Sequence, residues 1–197
     1  DVERSRGLGD VYKRQPIGFP EVQFELKTAW EKALVNSKKI IKEVWREFGE
    51  IFGRHYDVIE PYRVEDAEAA FILMGGTCGT CRAAVDRLRE EGLKVGMLKL
   101  RLYRPFPKEE ILEAIKNLKT LIVMDRHICL GGMGGPLYND LKSLLYDAKL
   151  RLNLAGFIAG IGGRDIRIED FRLMAEKALK GELPPEGFGL LSRGELV

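Results

Sequence analysis

The stretch Leu121–Leu141, LIVMDRHICLGGMGGPLYNDL, sets the tightest limit on what this chain can fold into. Leu121, Ile122, Val123 and Met124 form a short apolar run without polar alternation, which suits a strand buried on both faces. The cluster Gly131, Gly132, Gly134 and Gly135 then requires permissive backbone, and Pro136 stands where a first helical turn accepts proline. Leu137, Leu141, Leu144 and Leu145 follow at helical spacing. A strand, a glycine loop and a helix in that order belong to an α/β sheet. Its carboxyl edge, where the loop lies, is where such sheets place ligand and partner surfaces.

The same alternation runs through the rest of the chain. Asp57–Tyr62 reads as a short edge strand, where Pro61 is tolerated. Ala69–Met74 reads as a strand ending at Gly75-Gly76, and Cys81–Glu91 as a helix closed by Gly92. Val95–Tyr103 is a strand that Arg104-Pro105-Phe106-Pro107 must break. Lys108–Leu118 is a helix, Leu152–Ile161 a further apolar run, Gly162-Gly163-Arg164-Asp165 a loop, and Glu169–Leu179 a final helix. Strands alternating with helices argue a mostly parallel sheet covered on both faces.

Ahead of this unit, residues 16–56 are read as one long amphipathic helix and its connection. Leu26, Trp30, Leu34, Ile40, Ile41, Val44, Trp45 and Phe48 recur at three- and four-residue steps, and Gly53 supplies a stop. The stripe either covers the sheet or packs on polypeptide outside this chain. Residues 1–15 carry no such pattern. Asp10–Gln15 looks like a translated transposon-end adapter, so the segment is set aside as non-native and the natural protein is expected to extend upstream. The tail, residues 182–197 with Pro184 and Pro185, reads as irregular.

Composition narrows the function classes. Lys and Arg total 32 against 30 Asp and Glu, interleaved throughout, which gives no field for nucleic acid or a membrane surface. No apolar run approaches the roughly 20 residues of a bilayer span. Three cysteines are too few for a disulfide framework and fit a reducing cytoplasm.

The motifs are sparse. Leu137 stands where the third glycine of G-x-G-x-x-G should fall, and no phosphate-cradling G-x-x-x-x-G-K-[ST] occurs. The glycines therefore read as a tight turn and a close helix–strand approach. Cys78-Gly79-Thr80-Cys81 leads into a helix whose dipole would depress a thiol pKa. The pair reads as inert buried residues, as a redox dithiol, or with His127 and Cys129 as a metal set. His55, just after the long helix, reads as a surface or capping residue. Arg104, Arg126, Arg164 and Asp165 fall in loops after strands, the side expected to meet a neighbour or an anion. No serine–histidine–acid set and no H-E-x-x-H is present.

Several motifs together carry a resemblance. Phe52-Gly53-Arg54-His55-Tyr56, Tyr62–Glu68, Arg104-Pro105-Phe106-Pro107, Asp125-Arg126, Gly131–Tyr138 and Gly160–Ile166 resemble the C-terminal part of the alpha subunit in the 2-oxoacid:ferredoxin oxidoreductase family, the pyruvate enzymes above all. The resemblance covers about residues 19–181 and implies a transketolase C-terminal-like domain over 57–181. That is a three-layer α/β/α unit with a five-stranded, mostly parallel sheet and one antiparallel edge strand, in which the runs ending at Met74 and Met124 are neighbours. It further implies decarboxylation of a 2-oxoacid on thiamine diphosphate with magnesium, electron transfer through iron–sulfur clusters to ferredoxin, and acyl transfer to coenzyme A. Those cofactors are expected on other domains or on the beta, gamma and delta subunits, so no catalytic or cofactor-binding residue is carried onto this chain. Cys78 and Cys81 depart from the small non-thiol residues expected in that loop. A sister enzyme acting on a branched-chain or aromatic 2-oxoacid, and a free-standing dithiol or zinc module, are the competing readings.

Overall fold

A computed structural model describes residues 19–183, 187–192 and 194–196. The adapter-like segment 1–15 and Pro184-Pro185 lie outside the described residues. The chain divides into two compact units, one ending at Val44 and one running from Trp45 to the end.

The first unit is the leading part of helix α1, Pro20–Phe52. Pro20 opens it where a missing amide costs nothing, and Glu21 places a negative charge in the first turn. The helix ends at Gly53, whose positive φ of 67° lets its amide turn back onto the Gly49 carbonyl at 2.9 Å. The apolar stripe stays in water: Trp30 is 59% exposed, and Leu34, Ile40 and Val44 are exposed as well.

The second unit is a seven-stranded sheet in the order β1-β3-β2-β4-β5-β6-β7. The strands are β1 Ile59–Tyr62, β2 Ala69–Leu73, β3 Val95–Leu100, β4 Thr120–Asp125, β5 Asn153–Ile158, β6 Phe188–Ser192 and β7 Glu195–Leu196. β2 and β4 pair in parallel, with Phe71 opposite Ile122, which makes the runs ending at Met74 and Met124 neighbours as expected. β1 runs antiparallel to β3 at one edge. Strands β1–β5 are the five-stranded mixed unit that the motifs imply.

The tail corrects one expectation. Residues 182–197 were expected to be irregular, yet β6 pairs in parallel with β5 and β7 turns back antiparallel on β6. The reason is the open edge of β5, whose unpaired amides and carbonyls are a template for any segment that can lie flat there. Gly189 and Gly156 keep that approach close, since a Cβ on Gly156 would come within 2.8 Å of Phe188.

Helices α2 Thr77–Glu90, α3 Lys108–Ile115, α4 Pro136–Asp147 and α5 Ile168–Lys180 complete the layers. Phe71, Leu73, Met97, Ile122 and Phe157 form one core with Ala84, Val85 and Leu88 of α2 and Phe171, Met174 and Ala175 of α5. Phe71 and Phe171 meet edge to face with centroids 5.4 Å apart. Successive strand residues face opposite ways, and Ala70, Ile72, Leu121 and Val123 are equally buried, so a second core lies on the other side. Ile111, Ile115, Leu137 and Leu141, from α3 and α4, are fully buried too.

Candidate functional site

The chain passes from β2 to β3 on one side and returns to β4 on the other, so the direction of winding reverses at β2. The loops after β2, β4 and β5 therefore gather at one edge, where an α/β sheet has its switch point. Three of the predicted loop residues meet there. Arg126, Arg164 and Asp165 line one hollow of about 240 Å3 together with Gly76, Thr77 and Thr80 at the start of α2. Arg126 spans the two loops by donating to the Gly160 carbonyl at 3.2 Å. Arg164 donates to the Ser192 hydroxyl of β6 at 2.7 Å. It also lines two neighbouring hollows, of about 340 and 270 Å3, to which the tail contributes Leu191.

Arg104 does not join this group. It donates to the Asp140 carboxylate of α4 at 2.7 Å and lies over the Tyr103 ring at 4.0 Å. Tyr103 donates to the same carboxylate oxygen at 2.6 Å. Burial first, and then the Asp140 hydrogen bond, push the Tyr103 hydroxyl up to about 12.

The glycine cluster serves close packing, as its failure as a dinucleotide motif suggests. Asp125, at the end of β4, accepts the amides of Leu137 at 3.2 Å and Tyr138 at 3.0 Å, two orphan donors of the first turn of α4. Burial raises its carboxyl, against the lowering effect of those two amides. A Cβ on Gly135 would sit 2.2 Å from an Asp125 carboxylate oxygen. Gly131 and Gly134 both adopt positive φ, 72° and 94°, and the Cys129 amide closes the turn onto the Gly134 carbonyl at 3.0 Å. A Cβ on Gly132 would press on Cys129 at 3.1 Å. In the sequence Asp125 stands out only within the Asp125-Arg126 motif, because an acid ending an apolar run looks like an ordinary boundary; the glycine ten residues on is the signal that points to its capping role.

The cysteine motif departs from expectation in its thiol pKa alone. Cys78 and Cys81 occupy the first turns of α2 and are buried in the core it shares with α5. Burial raises both thiols, Cys81 well above the ordinary value, so desolvation outweighs the expected helix dipole. For Cys78 the nearby Lys99 and Arg101 oppose that rise without reversing it. Cys129 sits apart and accepts the Asn139 amide at 3.8 Å. Adjacency of β2 and β4 thus fails to bring Cys78, Cys81, His127 and Cys129 together. Among the described residues no group of three or more His, Cys, Asp or Glu is placed to hold a metal ion.

His55, expected at the surface, is exposed and folds back over Gly49, where a Cβ would lie 2.4 Å from its Nδ1.

Comparison with known proteins gives this edge its context. The family described as Pyruvate:ferredoxin oxidoreductase core domain II matches residues 67–171, more than half of the chain. The chain belongs to this family. It is 43% identical over 168 residues to pyruvate synthase subunit PorA of Thermotoga maritima, covering 85% of this chain and 43% of that one. It is 42% identical over 166 residues to ketoisovalerate oxidoreductase subunit VorA of Pyrococcus horikoshii, covering 84% of this chain and 41% of that one. The chain thus spans less than half the length of the curated relatives it matches. A solved split gene transketolase, an inactive beta4 tetramer, aligns with a TM-score of 0.50 over 65% of this chain and 45% of that one, at 15% identity, which speaks to the fold alone. No helix among the described residues is long and apolar enough to cross a membrane.

Proposed function

We propose that this chain is the support and subunit-contact domain of a pyruvate:ferredoxin oxidoreductase. That enzyme converts pyruvate, coenzyme A and oxidised ferredoxin to acetyl-CoA, carbon dioxide and reduced ferredoxin. The core domain II match over residues 67–171 carries the reading. Thiamine diphosphate, magnesium, the iron–sulfur clusters and the ferredoxin contact belong to other domains or to sister subunits, in a cytoplasmic complex. The chain's own contribution is mechanical. Its sheet holds the arginine loops at one edge, and α1 offers an apolar stripe to the polypeptide it supports. A second reading, an enzyme acting on ketoisovalerate, draws on the 42% identity to VorA.

The test is a comparison of the isolated chain with the full-length subunit assembled with its sister subunits and thiamine diphosphate. The isolated chain gives no pyruvate-dependent reduction of a viologen dye, and the assembled complex does. Turnover by the isolated chain overturns the division of labour. Faster reduction with ketoisovalerate than with pyruvate selects the second reading.

A further inference from the structure

We infer that the carboxyl edge around Arg126 and Arg164 docks an acidic segment of a sister subunit that also carries apolar side chains. This rests on the reading of the domain as a subunit-contact element and names the chemistry of one contact.

Charge is the first observation. Several arginines of the compact unit are matched by carboxylates: Arg63 by Asp86, Arg89 by Asp66, Arg104 by Asp140 and Arg172 by Glu91. Arg126 and Arg164 are instead fixed by neutral oxygens, the Gly160 carbonyl and the Ser192 hydroxyl. Among the described residues neither makes an ion pair, and Asp165 lines their hollow without bridging to either. Two guanidiniums are thus oriented by neutral groups and share their hollow with the one carboxylate of Asp165, next to the amino end of α2, whose dipole adds to the positive sign. Arg164 owes its position to the tail, which gives β6 a part in shaping this surface.

Apolar exposure is the second observation. On the same two loops Leu130 is 89% exposed, Met133 58% and Ile161 50%. The β4 loop is held in shape by two internal backbone bonds, Cys129 amide to Gly134 carbonyl at 3.0 Å and Gly132 amide to Cys129 carbonyl at 2.7 Å. Its tips are therefore presented to the outside by a formed turn. A small anion accounts for the arginines alone, and would leave Leu130 and Met133 in water. A polypeptide with carboxylates for the guanidiniums and apolar side chains for the tips accounts for both.

The experiment uses the complex of the full-length subunit with its sister subunits. Leu130 is replaced by the photo-cross-linking residue p-benzoylphenylalanine, and the cross-linked peptide is identified by mass spectrometry. In parallel, the double variants Arg126→Glu/Arg164→Glu and Arg126→Lys/Arg164→Lys are compared with Lys116→Glu, a charge reversal just after α3. The expected result is a cross-link to an Asp- or Glu-bearing segment of a sister subunit. Glutamate at both positions should weaken retention in the complex about tenfold at low salt and less at high salt, with lysine and Lys116→Glu close to the parent. A cross-link confined to the subunit's own residues, or retention unaffected by the glutamates, overturns the inference. So does a change confined to the KM for coenzyme A, which would assign the hollow to a small anion. In each of these cases the complex still forms, and the subunit-contact reading survives through α1. Failure of the parent subunit to join any complex would instead remove that reading and this one with it.

Discussion

The Asp125 carboxylate accepts the Tyr138 amide at 3.0 Å, and this contact sews the end of β4 to the start of α4 across the glycine loop. The loop has no slack at that point, because a Cβ on Gly135 would lie 2.4 Å from the Asp125 Cβ. Gly135→Ala is therefore expected to destabilise the chain by about 1–3 kcal/mol through forced displacement of the carboxylate. Asp125→Ala leaves the buried amides of Leu137 and Tyr138 without their acceptor, at about the same cost. Denaturant unfolding followed by circular dichroism measures both. Parent-like stability of Gly135→Ala would show that the loop has room that its geometry denies.

The thiols offer a second check. Cys78 and Cys81 are buried in the core shared by α2 and α5, and burial raises the pKa of each. Cys129 is half-buried on the β4 loop. Ellman's reagent at neutral pH should modify Cys129 first, with Cys78 and Cys81 reacting only as the chain opens. A thiolate is the attacking species, and these two are held both protonated and out of reach. Rapid reaction of all three in the folded chain would restore the redox reading of the motif.

Strands β2, β4 and β5 were legible because each is dominated by a short apolar run, and the shortness of the runs and the residues flanking them separate them from the helices around them. The β4 loop was legible as a loop, though the capping role of Asp125 was not. The low thiol pKa expected for Cys-x-x-Cys turned on a point that sequence cannot supply. A helix start argues for low thiol pKa, and only the packing of α5 against α2 reveals that burial wins. The tail failed for a different reason. Phe188-Gly189-Leu190-Leu191-Ser192 neither alternates nor forms a continuous apolar run, and it becomes a strand because β5 offers a free edge far away in sequence. Arg164 shares that blind spot, since its partner Ser192 lies in the same segment.

Tyr103 should betray itself on the alkaline side. Its hydroxyl is raised to about 12 by burial and by Asp140, whereas an unfolded tyrosine ionises near about 10. Between those values the folded state binds more protons than the unfolded one, so stability is fully present below the unfolded value and falls as pH rises through that window. Tyr103→Phe should flatten the decline and delete the late step from an ultraviolet absorbance titration of the tyrosines. A titration in which every tyrosine ionises at its ordinary value would contradict the Tyr103–Asp140 contact.

The exposed stripe of α1 tests the support role proposed for that helix. In this chain Trp30→Gln and Ile40→Gln change side chains that water already reaches, so each should alter thermal stability by no more than about 0.5 kcal/mol. If the stripe is covered in the full-length subunit or its complex, each substitution there removes buried apolar area and should cost about 1.5–3 kcal/mol. Thermal unfolding of both forms, carrying the same substitutions, gives the comparison directly. Equal and small effects in both would mean that nothing covers the stripe. The support role assigned to α1 would then fall, while the arginine edge would remain to be judged on its own experiment.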